Sequence, residues 1–144
     1  MKRSDFLKLS CTGCLLSAAG IAGVATLLES CSPKGGGSVY KAVMTDKKLP
    51  VPMAAVAKDK VTIVRGKGMD YDVAVHPLGE GKYEALLLRC THFSNPLIVN
   101  GESYSCALHG SQFGADGAVK KGPASRPLQK LPCEVEGQNL VIHV

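Results

Sequence analysis

The sequence predicts an all-β domain over residues 39–144, carried behind an N-terminal leader. Three observations support that reading. Short runs rich in Val, Ile, Leu, Thr and Tyr alternate with Gly, Pro, Asn and Asp, as strands alternate with turns. No window after residue 38 repeats its apolar positions every 3.6 residues, as an amphipathic helix would. Asn100-Gly101 stands between two of the runs and is the strongest two-residue hairpin signal.

The elements follow in order. Val61-Thr62-Ile63-Val64 reads as a strand. Asp72–His76 and Tyr83–Arg89 flank Pro77-Leu78-Gly79-Glu80-Gly81 and read as a hairpin. Leu97-Ile98-Val99 and Glu102–Ser105 flank Asn100-Gly101. Glu134-Val135 and Leu140–His143 flank Glu136-Gly137-Gln138-Asn139, a third hairpin. What lies between these strands is loop, where a rigid scaffold can present chemistry.

The 144 residues suffice for one domain and a leader, and 45% hydrophobic content allows a packed core. Net charge is +5, but no basic cluster exceeds two residues, as at Lys120-Lys121, so no nucleic-acid stripe is present.

Residues 1–30 read as a signal peptide or membrane anchor. Lys2, Arg3 and Lys8 precede an uncharged stretch, Cys11–Leu28. Leu28-Glu29-Ser30-Cys31 resembles the lipobox of bacterial lipoproteins, which implies cleavage before Cys31 and diacylation of its thiol. Glu29 departs from that pattern. Two acyl chains would anchor stably, where one is marginal. The alternative is that Cys11–Leu28 remains as a transmembrane helix. Either way the expectation is a domain tethered outside the cytoplasmic membrane, in the bacterial cell envelope. Arg3-Ser4-Asp5-Phe6-Leu7-Lys8 resembles a twin-arginine export signal, with Ser4 where the second arginine belongs. Residues 31–38 combine the lipidation site with a flexible linker, Ser32-Pro33-Lys34-Gly35-Gly36-Gly37-Ser38.

Of six cysteines, Cys11 and Cys14 lie in the leader and Cys31 is the lipidation candidate. Cys90, Cys106 and Cys133 remain. Cys133 reads as a buried core thiol. Cys90 and Cys106 each head a short run that ends in histidine: Cys90-Thr91-His92 and Cys106-Ala107-Leu108-His109, with 13 residues between. Two thiolates and two imidazoles can complete a [2Fe–2S] cluster in which two histidines replace two cysteines on one iron. Zinc and a Cys90–Cys106 disulfide are the alternatives. The alternating order of ligand types differs from a structural zinc finger, which groups its cysteines and histidines.

Gly110-Ser111-Gln112-Phe113, Gly117 and then Gly122-Pro123-Ala124-Ser125-Arg126-Pro127-Leu128 follow the second run. With the two boxes, over residues 50–144, this resembles the Rieske iron–sulfur family. The resemblance implies an antiparallel β-sandwich with a small cluster-binding subdomain formed by two loops. It implies that Cys90 and Cys106 bind the inner iron and His92 and His109 the outer iron. Two ferric ions, two sulfides, two thiolates and neutral imidazoles sum to zero charge, so an electron is added more easily than to an all-thiolate cluster. The range for such centres is roughly −150 to +300 mV. Reduction should be coupled to imidazole protonation, so that potential falls with pH once the histidines titrate.

High-potential, quinol-oxidising members brace the two loops with a disulfide, and its positions fall here at Asn95 and Leu108. Ser111 stands where those members donate a hydrogen bond to a bridging sulfide, a cluster-tuning role. Phe113 stands where they have a tyrosine, and it cannot donate. One bond kept and one lost implies an intermediate potential. Gly122-Pro123-Ala124 is expected to shield the cluster, while His76 and His143 are expected as surface or core histidines.

The function implied is a membrane-tethered one-electron carrier that exchanges electrons with redox protein donors and acceptors. The alternative is a Rieske subunit of a quinol–cytochrome oxidoreductase or periplasmic oxidase, in which His109 accepts a hydrogen bond from quinol. A ferredoxin component of a dioxygenase system is a third reading, against which the leader speaks. No acid/base pair or nucleophile triad is visible, so the chain reads as a carrier or subunit rather than an enzyme by itself.

Overall fold

The five-stranded sheet at the centre of the domain is apolar on both faces, and strand periodicity explains how. Val73-Ala74-Val75 and Ala85-Leu86-Leu87-Leu88 read as continuous apolar runs, yet alternate residues point to opposite sides. Val73, Val75, Ala85 and Leu87 enter one core, whereas Ala74, Leu86 and Leu88 enter a second. A one-residue slip would exchange the two sets.

The computed structural model describes residues 38–56 and 60–144. The lipidation candidate Cys31, the stretch Cys11–Leu28 and the export motif lie outside the described residues. Strands β1 (Ser38–Val43), β2 (Lys48–Pro52), β3 (Thr62–Lys67), β4 (Val73–Gly79), β5 (Lys82–Leu87), β6 (Ile98–Asn100), β7 (Ser103–Ser105), β8 (Gln112–Phe113), β9 (Val119–Lys121), β10 (Lys130–Leu131), β11 (Cys133–Glu136) and β12 (Asn139–His143) form three sheets. A 3-10 turn spans Met53–Ala55. The sheet orders are β1-β3-β4-β5-β10, β11-β12-β2 and β6-β7-β8-β9. Among the described residues no helix is long and apolar enough to cross a membrane.

The first core lies between the five-stranded and three-stranded sheets. Leu49 and Val51 of β2 and Leu140 and Ile142 of β12 meet Val64, Val73 and Val75 there. This is the expected sandwich. The second core lies on the other face of the central sheet and joins it to the four-stranded sheet. The small subdomain expected to carry the two loops thus has a sheet of its own.

The pairings are antiparallel except one: β1 runs parallel to β3, from Ser38 opposite Thr62 to Val43 opposite Lys67. Ser38, expected as the last linker residue, opens that strand. The turn from β1 to β2 is closed by Thr45 and Lys48, which exchange both backbone bonds at 3.0 and 2.9 Å. Its two central residues, Asp46 and Lys47, have φ of 49° and 60°. That is type I′ geometry without a glycine to announce it. The Asn100-Gly101 turn is displaced by one residue. Asn100 pairs with Ser103, so the turn is Gly101-Glu102, with Gly101 at φ 64°. Asn100 joins the strand, and its side-chain amide donates to Ser105 Oγ at 2.7 Å.

Candidate metal centre

The two Cys/His runs fold into the same turn. In the first, Ser94 N–H donates to Cys90 O and Cys90 N–H donates to Asn95 O, both at 2.8 Å. In the second, Gly110 N–H donates to Cys106 O at 3.0 Å, and Cys106 N–H donates to Ser111 O at 2.8 Å. Each cysteine therefore opens a turn closed four residues on, at a residue in the left-handed region: Ser94 at φ 46° and Gly110 at φ 75°. The histidine comes two residues after the cysteine in one turn and three in the other. Two copies of one turn bring like to like, thiol beside thiol and imidazole beside imidazole.

The thiols face inward. Cys90 and Cys106 are free, and are 1% and 3% exposed as members of the second core. Burial pushes the Cys90 thiol up. It is outweighed by the backbone N–H groups of His92 and Phe93, with the Cys106 thiol and the Ser111 hydroxyl also in hydrogen-bond reach, so the net direction is down. A turn that aims N–H groups at sulfur favours the thiolate, the form that binds metal.

The imidazoles face outward. His92 and His109 are exposed, with ring centroids 4.9 Å apart and planes at 86°. The exposed ring of Phe93 lies 6.5 Å from His92 and 6.3 Å from His109.

The segment 122–129 closes the site. Ser111 is fully buried, and its Oγ accepts the Ala124 N–H at 3.0 Å. Thr91 Oγ1 donates to Arg126 O at 2.6 Å, and Leu128 N–H to Gly117 O at 2.9 Å. Gly117, at φ 77°, passes so close that a Cβ there would lie 3.1 Å from Leu128 and 3.2 Å from Leu86. Only glycine combines that φ with that approach. Leu108 is exposed, and Asn95 buries a side-chain nitrogen with no partner among the described residues.

The other singled-out residues stand apart. Phe113 is buried and faces Tyr104 across β7 and β8. His143 bonds Glu134 Oε1 at 2.9 Å on the surface. Cys133 is half-buried against the first core and donates to Tyr83 O at 3.4 Å. His76 is a core histidine, with its Nε2 hydrogen-bonded to the Tyr104 hydroxyl. Burial pushes the His76 pKa down and the Tyr104 pKa up. Sequence reasoning passed over Tyr104 and the two arginines Arg89 and Arg126. For Tyr104 a signal existed: it stands two residues before Cys106, where β7 leads into the second turn, and both are buried in the second core.

Among the described residues no three His, Cys, Asp or Glu side chains converge on one ion. The donors instead form two pairs, which is what a two-iron centre takes from a protein. The model of the Rieske [2Fe-2S] domain matches residues 44–132, more than half of the chain.

The chain belongs to the Rieske family.

Rieske membership implies a [2Fe–2S] cluster, and the inward thiols and outward imidazoles fit one. Over 53 residues the chain is 40% identical to the cytochrome b6-f complex iron–sulfur subunit of Synechococcus sp. (strain JA-2-3B'a(2-13)), covering 35% of this chain and 31% of that one. Over 138 residues it is 29% identical to the corresponding Rieske subunit of Synechococcus sp. (strain JA-3-3Ab), covering 88% and 80%. Among solved structures it resembles the plasma membrane Rieske protein PetC3 from Synechocystis PCC 6803, with a TM-score of 0.52 and 29% identity over 65% of this chain and 95% of that one.

Proposed function

We propose that this protein is a membrane-tethered one-electron carrier of the bacterial cell envelope, outside the cytoplasmic membrane. Its [2Fe–2S] cluster would be held by Cys90 and Cys106 on the inner iron and by His92 and His109 on the outer. The observation that carries the reading is the repeated turn, which buries two thiols side by side and exposes two imidazoles side by side. The bound cluster supplies one-electron redox chemistry at a raised potential. The chain's own residues do the rest. The N–H groups of His92 and Phe93 hold negative charge on Cys90. Ser111 adds a hydroxyl and ties the closing segment down through Ala124. Phe113 packs without donating. The imidazole edges are the exposed side of the site, and electrons would pass there to a docked partner.

The test is spectroscopy of the purified protein. After reduction it should show a rhombic electron paramagnetic resonance signal that Cys90→Ser or His109→Ala abolishes. A colourless, zinc-loaded protein would sink the reading. For the tether, mass spectrometry of the membrane form should find a lipidated Cys31, whereas a chain beginning at Met1 would point to the retained helix.

Similarity to cytochrome b6-f iron–sulfur subunits supports a second reading, a subunit of a quinol-oxidising complex. In it His109 would accept a hydrogen bond from quinol. Co-purification of the chain with a membrane cytochrome complex that oxidises quinol would select it over the free carrier.

A further inference from the structure

The three runs that build the tip around His92 and His109 carry positive charge only. The runs 89–96, 106–113 and 122–128 contain none of the chain's 12 acidic residues, but do contain Arg89 and Arg126. Three cations elsewhere are paired with carboxylates: Arg65 with Asp72, Lys130 with Glu84 and Lys48 with Glu136. Arg89 and Arg126 have no carboxylate partner among the described residues. They line a cleft of about 210 Å³ together with Cys90, Thr91, Ser94 and Gln129. Beside it Phe93 and Leu108 are 68% and 56% exposed, an apolar surface at the imidazole edge.

The cleft is also preorganised. The Arg89 guanidinium lies 5.9 Å from the centre of the Tyr71 ring, and the Tyr71 hydroxyl donates to Ser94 O at 2.6 Å. The Arg126 carbonyl is held by Thr91. Both arginines thus belong to loops bound to the Cys90 turn. Two arginines lining one cleft with the Ser94 hydroxyl and the Gln129 amide suit a carboxylate, which an arginine fork grips in a bidentate manner.

We propose that this tip docks a redox protein that presents acidic side chains around an apolar redox-centre edge, one of whose carboxylates enters the Arg89–Arg126 cleft. The apolar contact of Phe93 and Leu108 brings the imidazole edges close, and the charges steer the encounter. The inference rests on the electron-carrier reading and names the chemistry of its partner.

The test is stopped-flow oxidation of the reduced full-length protein in detergent by two protein oxidants, an acidic plastocyanin and a basic cytochrome c. The rate with the acidic oxidant should fall steeply as salt rises, because exposed charges are screened within about 3 Å at 1 M. The rate with the basic oxidant should rise or stay level. Arg89→Gln with Arg126→Gln should slow the acidic reaction about tenfold at low salt, the lower end of electrostatic steering. That loss should vanish at high salt, and Arg89→Lys with Arg126→Lys should keep most of the low-salt rate, because steering reads charge rather than fork geometry. Equal slowing of both oxidants, or a loss that persists at high salt, would assign the arginines to structure and overturn the proposal. So would loss of binding to phosphatidylglycerol vesicles with unchanged salt dependence, which would make the cleft a lipid headgroup site. A wild-type protein without the reduced-state signal overturns the carrier reading instead. If the double variant does not load its cluster, the wild-type salt dependence with the two oxidants still decides.

Discussion

Ser111→Ala tests both duties of one buried hydroxyl. Ser111 is fully buried; its oxygen accepts the Ala124 N–H at 3.0 Å, and its proton is in reach of Cys90 sulfur. A hydrogen bond to a charged group contributes about 1.5–3 kcal/mol. Only the part that grows when the site gains an electron bears on potential. Taking that part as roughly 1 kcal/mol, and about 59 mV per tenfold change for one electron, the variant should fall by ~40 mV. The same change strands the Ala124 N–H, which costs about 1–3 kcal/mol of stability. Film voltammetry reads the first effect and urea unfolding the second. An unchanged midpoint with an intact reduced-state signal would refute the tuning argument. If only the stability fell, the hydroxyl would belong to the closing segment alone.

Three further outcomes are expected. Phe113→Tyr should raise the midpoint, because the family resemblance puts a sulfur-donating tyrosine at that position where phenyl cannot donate; voltammetry that shows no rise removes this account. Tyr104→Phe should destabilise the domain by about 1–3 kcal/mol, since it leaves the buried His76 nitrogen without its partner; urea unfolding measures it. Stability should fall as pH drops below the ordinary histidine value of 6.5. His76 has a lowered pKa in the folded state, so the unfolded chain binds its proton first and gains on acidification. The fall should level off below the folded pKa. His76→Gln should lack that component when wild type and variant are unfolded at pH 7.5 and pH 5; parallel profiles would count against it.

The three hairpins were legible because strand period and turn residues agreed locally, but the turns are tighter than expected: β4 runs on to Gly79, and Asn100 pairs within β6. The site's composition was legible too, because both boxes are contiguous in sequence. Strands β1, β2, β8, β9 and β10 were not legible, for different reasons. β8 and β10 are two residues long, and β9 is Val119-Lys120-Lys121, so their pairing comes from tertiary context. The β1–β2 turn uses Asp46-Lys47 and lacks the usual glycine. The parallel β1–β3 pair is a long-range choice that local sequence does not encode. At the site, the matched turns were hidden because they are built from backbone bonds. Ser94 and Gly110 fill equivalent positions without sharing chemistry.

The thiols of Cys90 and Cys106 are as hidden as Val61 or Leu88 of the same core. On the proposed ligand assignment, iron and sulfide would have to reach two thiols that the packed core leaves only 1% and 3% exposed. The inorganic core would then be laid in before the Gly122–Gln129 segment packs over Ser111. The last packing step of folding would also be the sealing of the cofactor. Bleaching of the visible spectrum in the presence of a chelator would keep time with that subdomain's opening, and would report its lifetime residue-free, without a label on the chain.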